Sequence, residues 1–490
     1  MLKPLLTKWP FLFKIRLFFG LILLILVLVF LYFKIIPFGH ITYSRVWPVG
    51  LRSGKGFIYD FKPAERMDLS DNQSLRIIAD PVYFSLFTPR RFDSVLVTVK
   101  YRNRLGSKTP LIELGVLKDK LTGNYELKPL QNDVLDHWRF SWPRLEDSDS
   151  RLILQATRNY NSVEKFFSDL KNNNLHDCPA GPASCVATYN YPLALNYRLP
   201  SYAPLTPLTI NQPLRGAHQF YLYLQNQPWR LNFDFIDLNQ DKGQDPITIN
   251  VYSDDKIIAT ESLADNNPQP DSGKSESRNI TINGTAATPG VYRVEIKVSD
   301  DIVIAKIVSS SNKLAFINKL WPVSGPGALS VFTDAAYLQV KTFNPASLGE
   351  LDFAGKKFNF DKTYQPFYFK SGEGIKNIKL GKDDIILENN GVFAFSAASL
   401  FNPGLKKVDA FFNPGDSVKY IIADYVQPIE SEDLKIARAE FDLRDAYREK
   451  GRYTFLFSIP GLVAGENEYL EIKEISLSLS GKTLWQKIFR

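Results

Sequence analysis

Residues 237–245 read DLNQDKGQD, a run of alternating oxygen-bearing side chains. Asp237, Asn239 and Asp241 take positions 1, 3 and 5 of a calcium loop, and Asp245 takes position 9. A hard cation needs several oxygens converging on it, and alternate residues of a tight loop supply them. The match is incomplete, because glycine stands at position 7 rather than 6 and position 12 is Thr248 rather than glutamate. The competing reading is a polar hairpin turn between the strand-like stretches LNFDFI and PITINVY. Calcium is the one cofactor the sequence suggests.

The chain's two cysteines, Cys178 and Cys185, close the stretch CPAGPASC. Their spacing lacks the C-x2-C knuckle of a zinc site, and His176 beside them has no companion ligands. A disulfide is therefore expected, worth about 2.5 kcal/mol on the chain-entropy model, in a compartment that does not keep thiols reduced. Two free thiols are the alternative. No nucleophile elbow, zinc-protease helix, phosphate loop or C-x-x-C is present, and the four His residues are scattered. No catalytic residue is expected. A glycosidase stays open as a minor alternative, since it needs only two carboxylates brought together by the fold.

Aromatic side chains are plentiful after residue 200: Tyr221, Tyr223, Trp229, Tyr364, Phe367 and Tyr368. On a sheet face such rings stack on sugars; in a core they only fill space. The sequence leaves open which of them bind a ligand. Glycosylation sequons occur at Asn72, Asn279 and Asn283.

The elements that position these groups are mostly strands. Val95, Val97, Val99 and Tyr101 alternate with Leu96, Thr98 and Lys100, and the same period-2 pattern runs through Tyr292–Val298 and Ala437–Leu443. One apolar and one polar face is the mark of antiparallel sheets covering a core on one side, so a mainly β body is expected. The stretch NSVEKFFSDLKNNN reads as a helix, with Val163, Phe166, Phe167 and Leu170 on one face and Asn161 or Ser162 as its cap. Turn and proline clusters divide the body into a first β-sandwich at 56–200 with a helical excursion at 158–198, a second at 201–318 and a third β region at 319–490. The stretch LPSYAPLTPLTINQPLRG reads as a stiff link between the first two.

The closing stretches GRYTFLFSIPGL and YLEIKEISLSLSG, with PGVYRVEI earlier, resemble the final strands of bacterial extracytoplasmic jelly-roll sandwiches, carbohydrate-binding modules among them. The resemblance implies tandem antiparallel β-sandwiches and carries over no binding residue.

From Leu17 to Phe33 there is no charged residue, and at about 1.5 Å per residue this run approaches the thickness of a bilayer's hydrocarbon layer. No small-residue cleavage pattern follows it, so a retained signal-anchor helix at 17–36 is expected, after a short cytoplasmic tail at 1–16 and before a basic stalk at 37–55. The formal charge of +7 resides at this end: eight of 59 basic residues and none of 52 acidic ones precede residue 56, leaving 51 against 52 beyond it. That distribution argues against nucleic acid as a partner and for lipid, with Lys34, Arg45, Arg52 and Lys55 near the headgroups. The expected protein is single-pass, with its N-terminus inside and its body outside the cytoplasm. It is expected to serve adhesion or glycan and polymer binding without being an enzyme. A structural subunit of an envelope assembly, contacting other envelope proteins, is the alternative.

Overall fold

The structure is a computed structural model. It describes residues 11–35, 39–47, 57–69, 74–146, 151–172, 174–178, 185–191, 199, 202, 207–240, 244–253, 256–265, 274–323, 329–370, 372, 374–404, 406–465, 467–482 and 486.

Two antiparallel sheets made from both ends of the chain form a β-sandwich. In one, the order is Met67–Leu69, Leu75–Ile77, Tyr469–Ser480, Ser94–Arg104, Leu434–Asp442 and Ile429–Ser431, with His40–Val46 also paired to Tyr469–Ser480. In the other it is Ile58–Lys62, Val82–Phe87, Arg452–Ser458, Leu111–Asp119 and Asn124–Asn132. Because side chains alternate across a strand, the register that sets Val97 opposite both Leu477 and Ala439 turns all three to the same face. There they meet Phe84, Phe455 and Phe457 of the other sheet in one buried core.

The remaining bodies lie within the long connection between these strands. A five-stranded sheet containing Pro228–Asp237, Glu276–Thr285 and Ile302–Ser309 shares a single core with a twelve-stranded sheet. The larger sheet runs from edge strand Lys256–Leu263 through Ile247–Ser253, Gly290–Lys297, His218–Leu224, Leu314–Leu320 and Ile386–Ala394 to Lys356–Phe360. A small mixed sheet sets Val186–Tyr189 parallel to Tyr420–Asp424. Helices Asp133–Ser141 and Val163–Lys171 flank it, with Asn132 and Ser162 as their respective caps.

Several sequence expectations are corrected here. The expected boundary at 318 falls inside strand Leu314–Leu320, which pairs with His218–Leu224 on one side and Ile386–Ala394 on the other. The expected third region is divided: its last strands complete the first sandwich, so the bodies are nested rather than strictly tandem. The proline-punctuated link supplies edge strands Leu208–Ile210 and Leu214–Arg215, both paired to Ile302–Ser309. The expected stalk holds strand His40–Val46.

Helix Phe11–Ile35 is 25 residues long, and apolar side chains along it, such as Phe18, Leu23 and Leu26, are exposed. Among the described residues, however, no helix is long and apolar enough to cross a membrane. The expected transmembrane anchor is thus unsupported at this level and belongs to the proposal below.

Candidate functional site

The calcium-like loop begins where strand Pro228–Asp237 ends. Strand pairing sets Asp237 opposite Ile302, and the Leu238 N–H donates to the Asp301 carbonyl at 3.0 Å, which brings Asp301 to the loop. Carboxylate oxygens of Asp237, Asp245 and Asp301 lie within 4.8 Å of one another, and all three residues are buried. Asn239 donates its side-chain amide to the Lys274 carbonyl at 2.9 Å and its N–H to Asp237 Oδ1 at 3.2 Å, while Asp241 lies outside the described residues. Asp301 is the member that sequence reasoning missed.

Arg278, from strand Glu276–Thr285, enters the same cluster. Its Nη1 donates to Asp237 Oδ2 at 3.1 Å and to the Asp245 carbonyl at 2.7 Å, and its Nη2 donates to the Ala264 carbonyl at 2.7 Å. The pair is almost closed to solvent, with side-chain exposures of 3% and 1%. Burial raises the Asp237 carboxyl pKa, against the pull of the Asn239 N–H and of Arg278. The arrangement is an oxygen cluster of the kind a hard cation uses, with a guanidinium already inside it.

A second site lies between the sandwich and the twelve-stranded sheet, in a cleft of about 570 Å³. The sandwich lines it with Arg66, Asp80 and Tyr83, and the large sheet with Lys319, Gln339, Lys341, Tyr368 and Glu388. Register puts Lys319 and Gln339 opposite Glu388 on the two flanking strands. Glu388 accepts from Lys341 Nζ at 2.8 Å and from Gln339 Nε2 at 2.6 Å, so both its oxygens are engaged. Lys319 has no hydrogen-bond or ion-pair partner among the described residues. Its ammonium lies 5.5 Å from the Trp321 ring centroid, and burial lowers its pKa.

At the cleft mouth Phe343 and Tyr364 pack ring to ring, 5.1 Å apart at 35°, and remain 41% and 65% exposed. Tyr364 is held at φ 62°, a left-handed conformation that costs a non-glycine residue about 1–2 kcal/mol. Two contacts fix it: its N–H donates to the Thr342 carbonyl at 2.9 Å, and its carbonyl accepts from Arg66 Nη2 at 3.0 Å. Arg66 also donates to the Pro81 carbonyl at 2.9 Å, so this one side chain ties the sandwich to the ring platform.

Deeper in, Asp80 accepts the Ile459 N–H at 2.6 Å, and burial pushes its carboxyl up to about 6 against the pull of Ile459, Arg66 and Lys341. His218 is buried between the Gly216 carbonyl, 2.9 Å from Nδ1, and the Trp321 N–H, which donates to Nε2 at 3.1 Å. These contacts fix a neutral ring, and burial lowers its pKa to about 3. A neighbouring cavity of about 560 Å³ shares Gln339 and Tyr368 with the cleft and holds Glu113 and Asp409. Burial raises these carboxyls to about 7 and about 6 respectively.

Of the aromatic candidates, Tyr364 and Tyr368 line the cleft, whereas Tyr223 and Trp229 are buried in cores. Tyr221 packs partly buried against the cluster around Tyr223, and Phe367 against the main core. Phe343 escaped sequence reasoning, since nothing in its local pattern separates an exposed ring from a core ring. Cys178 and Cys185 are disulfide-bonded, with Cα atoms 5.7 Å apart, and pack against Phe166, Leu170 and Tyr420.

Arg45, expected near the headgroups, makes contacts within the sandwich. It donates to the Ile58 carbonyl at 2.7 Å and stacks over Trp47 and Phe61, bracing one sandwich sheet against the other. Arg52 and Lys55 lie outside the described residues, and of Lys34 only the helical backbone is described. Asn279 donates to Asp234 Oδ1 at 2.6 Å on an exposed face, and Asn72 lies outside the described residues.

No family model matches the chain. No curated protein matches it either. Among solved structures, that of Sulfolobus turreted icosahedral virus is 9% identical over 69% of this chain and 90% of its own, with a TM-score of 0.17. That of infectious bursal disease virus Gt strain is 8% identical over 91% and 82%, with a TM-score of 0.15. Dimeric latent PorU from Porphyromonas gingivalis is 10% identical over 65% and 31%, with a TM-score of 0.16. Likenesses this low carry no argument about fold or function.

Proposed function

We propose that the protein is a single-pass, membrane-anchored surface protein whose extracytoplasmic β-sandwich body binds a glycan or similar polymer without transforming it. The observation that carries this reading is the exposed Phe343–Tyr364 ring pair at the mouth of a polar cleft, with Tyr364 held in a strained backbone conformation. Ring faces shed water against the C–H face of a pyranose, while Gln339 and Lys319 offer polar contacts further in. The uncharged run Leu17–Phe33 supports the anchor, as the basic residues before it support an inside N-terminus. The disulfide agrees with a body outside the cytoplasm. A glycan array probed with the full chain in detergent should give signals that fall at least tenfold in a Phe343→Ala, Tyr364→Ala variant. Array signals unchanged by that variant would remove the cleft from the account, and turnover of a bound polysaccharide would replace binding with catalysis.

The reading as a structural subunit of an envelope assembly draws on one observation. Edge strand Lys256–Leu263 pairs on one side only among the described residues, and it exposes Ile257 and Ile258. A stoichiometric partner that co-purifies with the wild type and is lost on Ile257→Lys would favour it.

A further inference from the structure

We propose that the polymer taken by the cleft is acidic, with a carboxylate or sulfate group pairing with the Lys319 ammonium while a neighbouring ring lies on the Phe343–Tyr364 surface. This rests on the binding reading above and adds the ligand's charge class. Lys319 stands opposite Glu388 in the sheet, yet both Glu388 oxygens are taken by Gln339 and Lys341. The Lys319 ammonium is left in a desolvated wall with no carboxylate in ion-pair contact, Asp300 and Glu388 acting on it only through space, a costly state that an anion in direct contact would relieve. Burial already lowers the Lys319 pKa, against the pull of Asp300 and Glu388.

The cleft's charge balance points the same way. Arg66, Lys319 and Lys341 face Glu388 and Asp80, and of these acids Asp80 is buried and bonded to the Ile459 N–H. Both Nη atoms of Arg66 are engaged by carbonyl oxygens, so Arg66 adds positive potential without being released for the ligand. Lys319 is therefore the cation available to pair. In a partly dry cleft a charge-assisted hydrogen bond is stronger than its equivalent in water.

The test compares two polymer pairs matched in backbone and differing in charge: polygalacturonate against its methyl ester, and dextran sulfate against dextran. Each is titrated into the full chain in detergent micelles at fixed ionic strength. In at least one pair the acidic polymer should bind about tenfold tighter, equivalent to about 1.4 kcal/mol. Lys319→Met should erase that preference, and Lys319→Arg should keep it. Preference in the galacturonate pair alone assigns a carboxylate, and in the dextran pair alone a sulfate. Equal binding within both pairs, or a preference that survives Lys319→Met, overturns the acidic ligand but leaves the cleft as a polymer site. Failure of the wild type to bind any of the four overturns both readings.

Discussion

Asp80 shows how a single buried carboxyl links the cleft to stability. Its pKa is raised from 3.8 to about 6, so the folded chain holds a proton that the unfolded chain releases. The stability this gives is fully present below about pH 4 and is lost as pH rises through about 6. By pH 8 the loss is about 3 kcal/mol, from roughly two pKa units at 1.36 kcal/mol each. Glu113 and Asp409 act with the same sign. Asp80→Asn keeps an oxygen for the Ile459 N–H and removes the ionisation. Thermal unfolding between pH 5 and 8 should then be less pH-dependent than in the wild type, with a higher Tm at pH 8; an unchanged slope would show that Asp80 is ionised throughout. Nothing around Asp80 in the sequence signals this, because its burial comes from strands some 380 residues away.

At the scale of elements, the period-2 strands were legible: Val95, Val97, Val99 and Tyr101 are buried, as are Ala437, Ala439, Phe441 and Leu443. Helix Val163–Lys171 and its Ser162 cap were legible for the same local reason. Helix Asp133–Ser141 was missed, although Asn132 caps it and Leu135, Trp138 and Trp142 mark one face. The charged and aromatic residues between them blur its apolar stripe. Asp301 and Arg278 were illegible as members of the acidic cluster, since only strand pairing brings them to the loop at 237–245. Arg278 binds that loop to the carbonyls of Leu263 and Ala264. Removing one partner of a buried ion pair strands the other, so Arg278→Met should cost about 3–5 kcal/mol in denaturant unfolding. Asp237→Asn in the same chain should recover part of this. A single-variant cost below about 1 kcal/mol would mean the carboxylates are protonated or otherwise neutralised. A wild-type Tm that rises with millimolar calcium would show that they take a metal beside the guanidinium.

For the whole molecule, alternation reports which face of a strand is buried but not which strand lies beside it. Tyr469–Ser480 pairs with both His40–Val46 and Ser94–Arg104, so the chain ends close a sandwich around everything between them. This places the first strand after helix Phe11–Ile35 beside the last strand of the body. The cleft is a product of the nesting, because Arg66 and Asp80 come from the sandwich and Lys319, Phe343 and Tyr364 from the inserted sheets. On the proposed function, this junction is the binding site. Hydrogen–deuterium exchange of the full chain, with and without the tightest-binding polymer, tests it most directly. Ligand-dependent protection is expected in the segments around Asp80–Tyr83, Thr342–Phe343, Tyr364 and Glu388–Asn389; protection confined to other surfaces would contradict binding at the junction.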